Sequence, residues 1–356
     1  MIEIDGSIGE GGGQVLRTAL SLSIITRKPF LINNIRAHRS KSGLMAQHLK
    51  AVDAAAAISR ATVEGATLGS SRLIFEPGDI RTGRYKFEIG TAGSTSLVFQ
   101  TIIVPLSMAS SATTVTITGG THVPWSPSYH YLDLNWCPVL QNAGYDLQLS
   151  LEQCGFYPEG GGRITATIRP CQRIIPLQIE SRGELTRISG ISAVANLDIS
   201  IAERQKRQAL GRLSRRFPAL LIKTIHLPAF NKGTFLLLAA EFNAGNEGYP
   251  SRACFSSLGE RGKPAERVAD EAVNAFEAYL LSGGAIDQYL ADQLMLPLSV
   301  ADGASILSTA QITQHILTNA EVIRRFLPVD IDIFGKLNEP GTIHISPNSY
   351  KNTGTG

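Results

Sequence analysis

The sequence predicts an α/β (α+β) fold, on three observations. Segments of strand length alternate with segments of helix length along the chain. The 34 glycines gather in short clusters where such segments meet. Hydrophobic residues make up 43% and charged residues 18% of 356 positions, which is material for a large core. About two domains are expected at that length.

The elements follow in order. Residues 2–4 read as a strand, 9–13 as a glycine loop and 15–25 as a mostly apolar helix. Ser42 is placed to cap a helix over about 43–58. Residues 72–76, 84–89 and 113–118 read as strands, and 95–107 as a buried helix. The texture changes over about 183–276. There Ser200 and Glu203 form a capping box opening a basic helix over 201–217, and strands follow at 220–226 and 234–240. A helix over 265–281 stops at Gly283-Gly284. A second capping box, Thr318 with Glu321, predicts a helix through Leu327, and 329–334 alternates as a strand. The tail, 348–356, is expected to fray.

Composition excludes several classes. No apolar run reaches the ~18 residues of a membrane span. The first residues lack a basic stretch followed by an apolar one, so no secretory signal is expected. Cys137, Cys154, Cys171 and Cys254 are widely spaced, which argues against common zinc sites and a disulfide framework. Reduced thiols in a cytoplasmic protein are expected. The net charge is +3, too small for a protein that coats long nucleic acid.

Several constellations can carry chemistry. The string Glu10-Gly11-Gly12-Gly13-Gln14 before a helix is a candidate anion site, with Arg17 one turn further on. It is neither a Walker A loop nor G-x-G-x-x-G. Arg36, His38, Arg39 and Lys41 set four potential cations ahead of a helix carrying Gln47 and His48. His48 is spaced from Leu44 and Val52 as a core or boundary histidine would be. Gln311, Thr313 and His315 are expected on one polar face of an extended segment. An imidazole there can serve as a nucleophile toward phosphorus. Asp287, Tyr289 and Asp292 lie about a helical turn apart and suit a ribose, a base, a metal or plain solvation. Arg204, Lys206, Arg207, Arg212, Arg215 and Arg216 read as an exposed charged face before a nucleic-acid contact. The string Glu-Gly-Gly-Gly returns at 159–162, a hint of duplication.

Taken together, these strings make the chain resemble the RNA 3'-terminal phosphate cyclase family. The resemblance rests on Gly9-Glu-Gly-Gly-Gly-Gln-Val-Leu-Arg17, Gln47-His48, Gly90-Thr-Ala-Gly-Ser94 with Gln100, and Gly119-Gly-Thr121 with Pro127. It continues in Gly155-Phe-Tyr-Pro-Glu-Gly-Gly-Gly162, Tyr289-Leu-Ala-Asp292 and Thr313-Gln-His315-Ile-Leu-Thr-Asn319. It implies a large domain of three βαβαββ units, 1–182 plus 278–345, similar to the C-terminal domain of a translation initiation factor. It also implies an inserted thioredoxin-like domain over 183–277, with 346–356 as a flexible tail.

The implied reaction is RNA 3'-phosphate cyclisation driven by ATP. His315 is adenylated, AMP passes to the RNA 3'-phosphate, and the 2'-hydroxyl closes a 2',3'-cyclic phosphate. On this resemblance Arg17, Arg36, Arg39, Gln47 and His48 bind phosphate and the RNA end. Gln100, Pro127, Tyr289 and Asp292 line the adenosine pocket. Glu10 holds Mg2+ or Mn2+. No membrane and no obligatory protein partner are implied. Three positions depart from the family pattern: Ser42 where proline is frequent, His122 where Asn or Asp is common, and Cys154 where a basic residue is usual. A noncatalytic RNA-binding relative in ribosome assembly would lack the nucleophile, and an enolpyruvyl transferase would have no use for the His315 string.

Overall fold

A computed structural model describes residues 1–243 and 252–347. The described residues build four four-stranded sheets. The first joins β1 (Ile2–Asp5), β2 (Phe30–Asn33), β3 (Thr62–Glu64) and β4 (Leu73–Glu76), with α1 (Gly13–Thr26) and α2 (Ala46–Ser59) between its early strands. The second joins β5 (Arg84–Glu88), β6 (Thr113–Gly119), β7 (Asp146–Gln153) and β8 (Gly162–Arg169). Helix α3 (Thr95–Ser107) follows β5. Helix α4 (Tyr129–Tyr131), a π-turn (Leu132–Trp136) and α5 (Cys137–Asn142) follow β6.

Strand β9 (Gln178–Ile179) starts the third sheet, which is then interrupted. Strand β10 (Glu184–Ala195), α6 (Ser200–Leu213), β11 (Leu221–His226), β12 (Gly233–Asn243), β13 (Arg252–Leu258) and α7 (Ala265–Ser282) come next and form the fourth sheet with its helices. The third sheet resumes with α8 (Gln288–Leu298), β14 (Ser305–Thr309), α9 (Gln314–Phe326), β15 (Val329–Phe334) and β16 (Gly341–Pro347). The first three sheets share one order, with first strand beside second, then fourth, then third. In each, the first pair is parallel and the rest antiparallel. The fourth sheet is ordered β11-β10-β12-β13.

Helix α1 is buried nearly all round, from Gln14 to Ile24, because α3 and α9 pack against it. That position explains its lack of a polar stripe. Strand β12 belongs to two cores. Phe235, Leu237 and Ala239 join the main core, while Leu236, Leu238 and Ala240 face Phe255 and Phe276 in a second one. Its unbroken apolar run is therefore a strand covered on both faces. No helix among the described residues is long and apolar enough to cross a membrane.

Three expected starts move. Helix α2 begins at Ala46, not 43. Gly43, at φ +76°, and Leu44 instead pair with the backbone at Ile35 and Ser70. The cap at Met45 is completed by His48, whose Nδ1 accepts from Met45 N at 3.3 Å. Helix α6 has no Ser200–Glu203 box. Asp198 accepts from Ser200 N, and Glu203 accepts from Thr224. Helix α9 begins at Gln314, capped by Thr313, whose Oγ1 accepts from Ile316 N. Thr318 lies inside that helix and donates to Gln314 O. The tail expected over 346–356 starts later, because residues 346 and 347 pair with β15 at the end of β16, and 348–356 fall outside the described residues.

Candidate active site

Moving the start of α9 changes the setting of His315. It sits in the first helical turn, not on an extended strand face. Helix α1 begins beside it. Gly12 caps α1 with no side-chain acceptor, which leaves first-turn amides for an anion. The two starts meet so closely that a Cβ on Gly9, at φ +63°, would collide with Thr318 Oγ1. A Cβ on Gly13 would collide with His48 Nε2 in the first turn of α2. Gln47 Oε1, beside His48, accepts from Ser94 N at 2.7 Å, at the cap of α3. Four helix N-termini thus converge, and their dipoles together favour negative charge.

Gln14 orients the central imidazole. Its Nε2 donates to Asp292 Oδ1 at 2.5 Å and faces His315 O at 3.3 Å. Both are acceptors, so the amide is fixed with Oε1 toward the ring, where it contacts His315 Nδ1. An oxygen there requires Nδ1 to carry a proton, so in the neutral ring the lone pair sits on Nε2. Asp292 Oδ1 also accepts from Asn319 Nδ2 at 2.5 Å, and Asn319 Oδ1 accepts from Thr18 at 2.7 Å. Burial pushes the Asp292 carboxyl above its ordinary range, while His315, Gln14 and Arg17 oppose that shift. Gln14 is the residue that local sequence reasoning missed.

On its other side, His315 Nε2 lies 3.2 Å from Glu10 Oε2. That same oxygen accepts from Arg39 Nη2 at 3.1 Å. Arg17 is half-buried against Gly13. Burial lowers its guanidinium to about 10, and Asp292 opposes the shift, so it stays charged at neutral pH. Arg36 Nη1 donates to Lys41 O and Gly43 O, which binds it into its own loop. Burial and the neighbouring Arg39 lower its pKa.

Three of the four adenosine candidates lie on α8 or bond to it. Gln100 Nε2 donates to Gln293 Oε1 at 2.7 Å, next to Asp292. Tyr289 lies in the first turn of α8 with its ring 64% exposed. Asp287 is a structural cap, not a ligand. It is buried and accepts from Tyr131, Asn135, Tyr289 N and Leu290 N. Through Tyr131 it ties the segment that follows Pro127 to the start of α8. Pro127 itself makes no hydrogen bond to the His315 cluster.

Among the described residues no three His, Cys, Asp or Glu side chains form a metal cluster. The donor set is the single hard carboxylate of Glu10. That suits a Mg2+-type ion which takes its other oxygens from phosphates and water.

The departures and remaining constellations are accommodated locally. Cys154 is buried, and burial pushes its thiol up to about 12. His122 is buried between the Phe156 and Phe235 rings, with Nε2 2.7 Å from His130 Nδ1. Ser42 is exposed. The basic face of α6 is partly neutralised by α7, through Arg204–Glu266, Arg212–Asp270 and Arg212–Glu277.

His48 sets a pH dependence. Burial first, then Arg17 and Arg36, lower its pKa to about 3, whereas an unfolded histidine titrates near 6.5. The unfolded chain therefore takes a proton that the folded chain refuses. The stability involved is complete above about 6.5 and is lost as pH falls toward 3. We expect His48→Asn to reduce the acid slope of unfolding free energy by about 1.4 kcal/mol per pH unit in that window. Urea melts across pH measure it, and an unchanged slope contradicts a neutral His48.

A family model described as RNA 3'-terminal phosphate cyclase matches residues 8–333. The RNA 3'-terminal phosphate cyclase of Ralstonia nicotianae is 46% identical over 334 residues, covering 93% of both chains. That of Methanopyrus kandleri is 40% identical over 354 residues, covering 98% of this chain and 99% of the relative. The solved enolpyruvyl transferase NikO from Streptomyces tendae has 11% identity and a TM-score of 0.40, over 97% of this chain and 48% of that one. A likeness that low carries no argument.

Proposed function

The chain belongs to the RNA 3'-terminal phosphate cyclase family, and from that membership we propose how its own residues carry the reaction. The activity is ATP-dependent cyclisation of an RNA 3'-terminal phosphate. The observation that carries the mechanism is the chain Asp292–Gln14–His315 at the meeting of helix N-termini.

His315 Nε2 exchanges its Glu10 contact for the α-phosphorus of ATP. An N–P bond forms and the P–O bond to pyrophosphate breaks. An oxygen of the RNA 3'-phosphate then attacks the same phosphorus, the N–P bond breaks, and the imidazole is restored. In the last step the 2'-oxygen attacks the 3'-phosphorus, the P–O bond to AMP breaks, and the hydroxyl proton passes to solvent as AMP leaves. A phosphate monoester is a poor electrophile, and AMP supplies its leaving group. The protein's task is positioning and charge neutralisation. Arg17, Arg39 and the amides of α1 neutralise phosphate. Arg36 shapes the loop that presents Arg39. Gln47 and His48 hold the 90–94 loop and Gly13 around the RNA end. Gln100, Pro127, Tyr289 and Asp292 line the adenosine pocket. Glu10 would hold Mg2+ or Mn2+, which supplies charge neutralisation on the ATP phosphates.

An RNA 3'-phosphate whose terminal 2'-hydroxyl is replaced by hydrogen tests the order of steps. It should accept AMP and accumulate as an adenylated end, because the closing nucleophile is gone. Electrophoresis resolves the product. If no adenylated RNA forms, AMP transfer does not precede closure.

We read the three like-ordered sheets as three βαβαββ units of one domain, comparable with the initiation-factor C-terminal fold; the expected bounds 278 and 345 fall inside α7 and β16, so the domain is 1–182 plus 283–347. Residues 183–282 are then a thioredoxin-like insertion whose strand β12 seals it to the main core. Four free cysteines fit a cytoplasmic location.

A further inference from the structure

Five large aromatic side chains are exposed among the described residues: Trp125, Tyr157, Phe230, Tyr289 and Phe334. Tyr157 and Phe230 stand apart from the adenosine candidates, and both crown the loop 155–162. Tyr157 is 70% exposed in a turn closed by Gly160 N donating to Phe156 O at 2.8 Å. Phe230, 63% exposed, comes from the connection between β11 and β12. Its N donates to Cys154 O, and its ring covers Gly161 so closely that a Cβ there would press into it.

This loop is continuous with the active site. A Cβ on Gly160 would press on Thr91 O. The same 90–94 loop ends at Ser94, which Gln47 holds, and His48 beside Gln47 packs on Gly13 next to His315's partner Gln14. The aromatic pair therefore ends a line of glycine-lined backbone that begins at the proposed nucleophile. Exposed Lys232 follows Phe230 by two residues and gives the patch a cation for backbone phosphate. Water-facing rings beside a cation and glycine backbone suit nucleobases strung on phosphates.

We infer that Tyr157 and Phe230 are a stacking platform for the bases of single-stranded RNA on the 5' side of the terminal phosphate. The inference rests on the cyclase reading, and it adds that the enzyme grips RNA beyond the reacting end through π-faces. Such a grip is tolerant of sequence.

The test uses the full chain carrying Tyr157→Ser and Phe230→Ser together, without ATP. The probe is a fluorescein-labelled 3'-phosphorylated RNA of about ten nucleotides, long enough to reach past the end-binding site. Fluorescence anisotropy should show Kd weakened by about tenfold to a hundredfold. The slope of log Kd against log salt should be unchanged, because no phosphate contact is lost. KM for a 3'-phosphorylated dinucleotide should change by less than about twofold, since it is too short to reach the platform. The pair Tyr157→Phe and Phe230→Tyr should bind as the parent does. Unchanged Kd in the serine variant, or an equal loss on the dinucleotide, overturns the platform. So does loss of a concentration-dependent dimer with RNA binding intact, which would mark the patch as a contact between copies. AMP transfer from ATP to the parent protein is scored separately. If it fails, the cyclase chemistry falls while anisotropy still judges the platform.

Discussion

His315→Ala is expected to abolish AMP transfer from ATP to the protein, and ATP-driven cyclisation with it, by at least about a thousandfold. The residue is the only protein group in the proposed scheme that bonds to phosphorus. Its side chain is 41% exposed at the start of a helix, so its loss should leave the fold intact. The same variant separates the steps. An RNA supplied already adenylated needs only its own 2'-oxygen and the AMP leaving group to close. It should still cyclise on His315→Ala at a rate far nearer the parent's. Labelled ATP and pre-adenylated RNA in parallel assays measure both. Retained labelling would remove His315 as nucleophile, and equal loss on both substrates would make its role structural.

Gln14→Met is expected to be the next most damaging change. Methionine fills similar volume but cannot accept from His315 Nδ1 or donate to Asp292. The ring proton is then free to occupy Nε2, the nitrogen that must attack. Removing the group that fixes a catalytic histidine's tautomer can cost about ten-thousandfold. Here the rate of AMP transfer should fall by roughly a hundredfold to ten-thousandfold, with a much smaller change in KM for ATP. Gln14→Glu is an informative companion. It restores the acceptor for Nδ1 but sets a carboxylate against Asp292, so it should recover little. Rapid-quench measurement of the first turnover separates rate from binding. A change confined to KM would make Gln14 a substrate contact and not an orienting residue.

Local pattern was enough for some elements and misleading for others. Helix α3 was legible from 95 to 107 because its apolar run is long and Ser94 caps it. Pro105 near its end did not break it. The start of α9 was misplaced because Thr318-x-x-Glu321 resembles a capping box. The buried stripe of Ile316, Ala320 and Ile323 decides otherwise, because it carries the helix one turn further back to Thr313. Strand β14 and helix α8 were not separated in the sequence. They are short, and Pro297 lies inside α8.

The motifs themselves located His315, Glu10, Arg17, Arg39 and Asp292, and the fold brings these to one place. Gln14 could not be assigned from its neighbours, because its partners lie 278 and 301 residues away. The available signal was a long amide side chain at the start of a mostly apolar helix, where it is only 7% exposed. A buried amide needs partners, and that question leads directly to Asp292 and His315.

The central claim is that one imidazole nitrogen receives the AMP. Incubation of the protein with ATP and Mg2+ but no RNA, followed by proteolysis at alkaline pH and tandem mass spectrometry, tests it most directly. The account predicts AMP on the peptide containing His315, attached through the ring and released by acid. AMP found on any other side chain, or a protein that turns over RNA and ATP without ever carrying AMP, would contradict it.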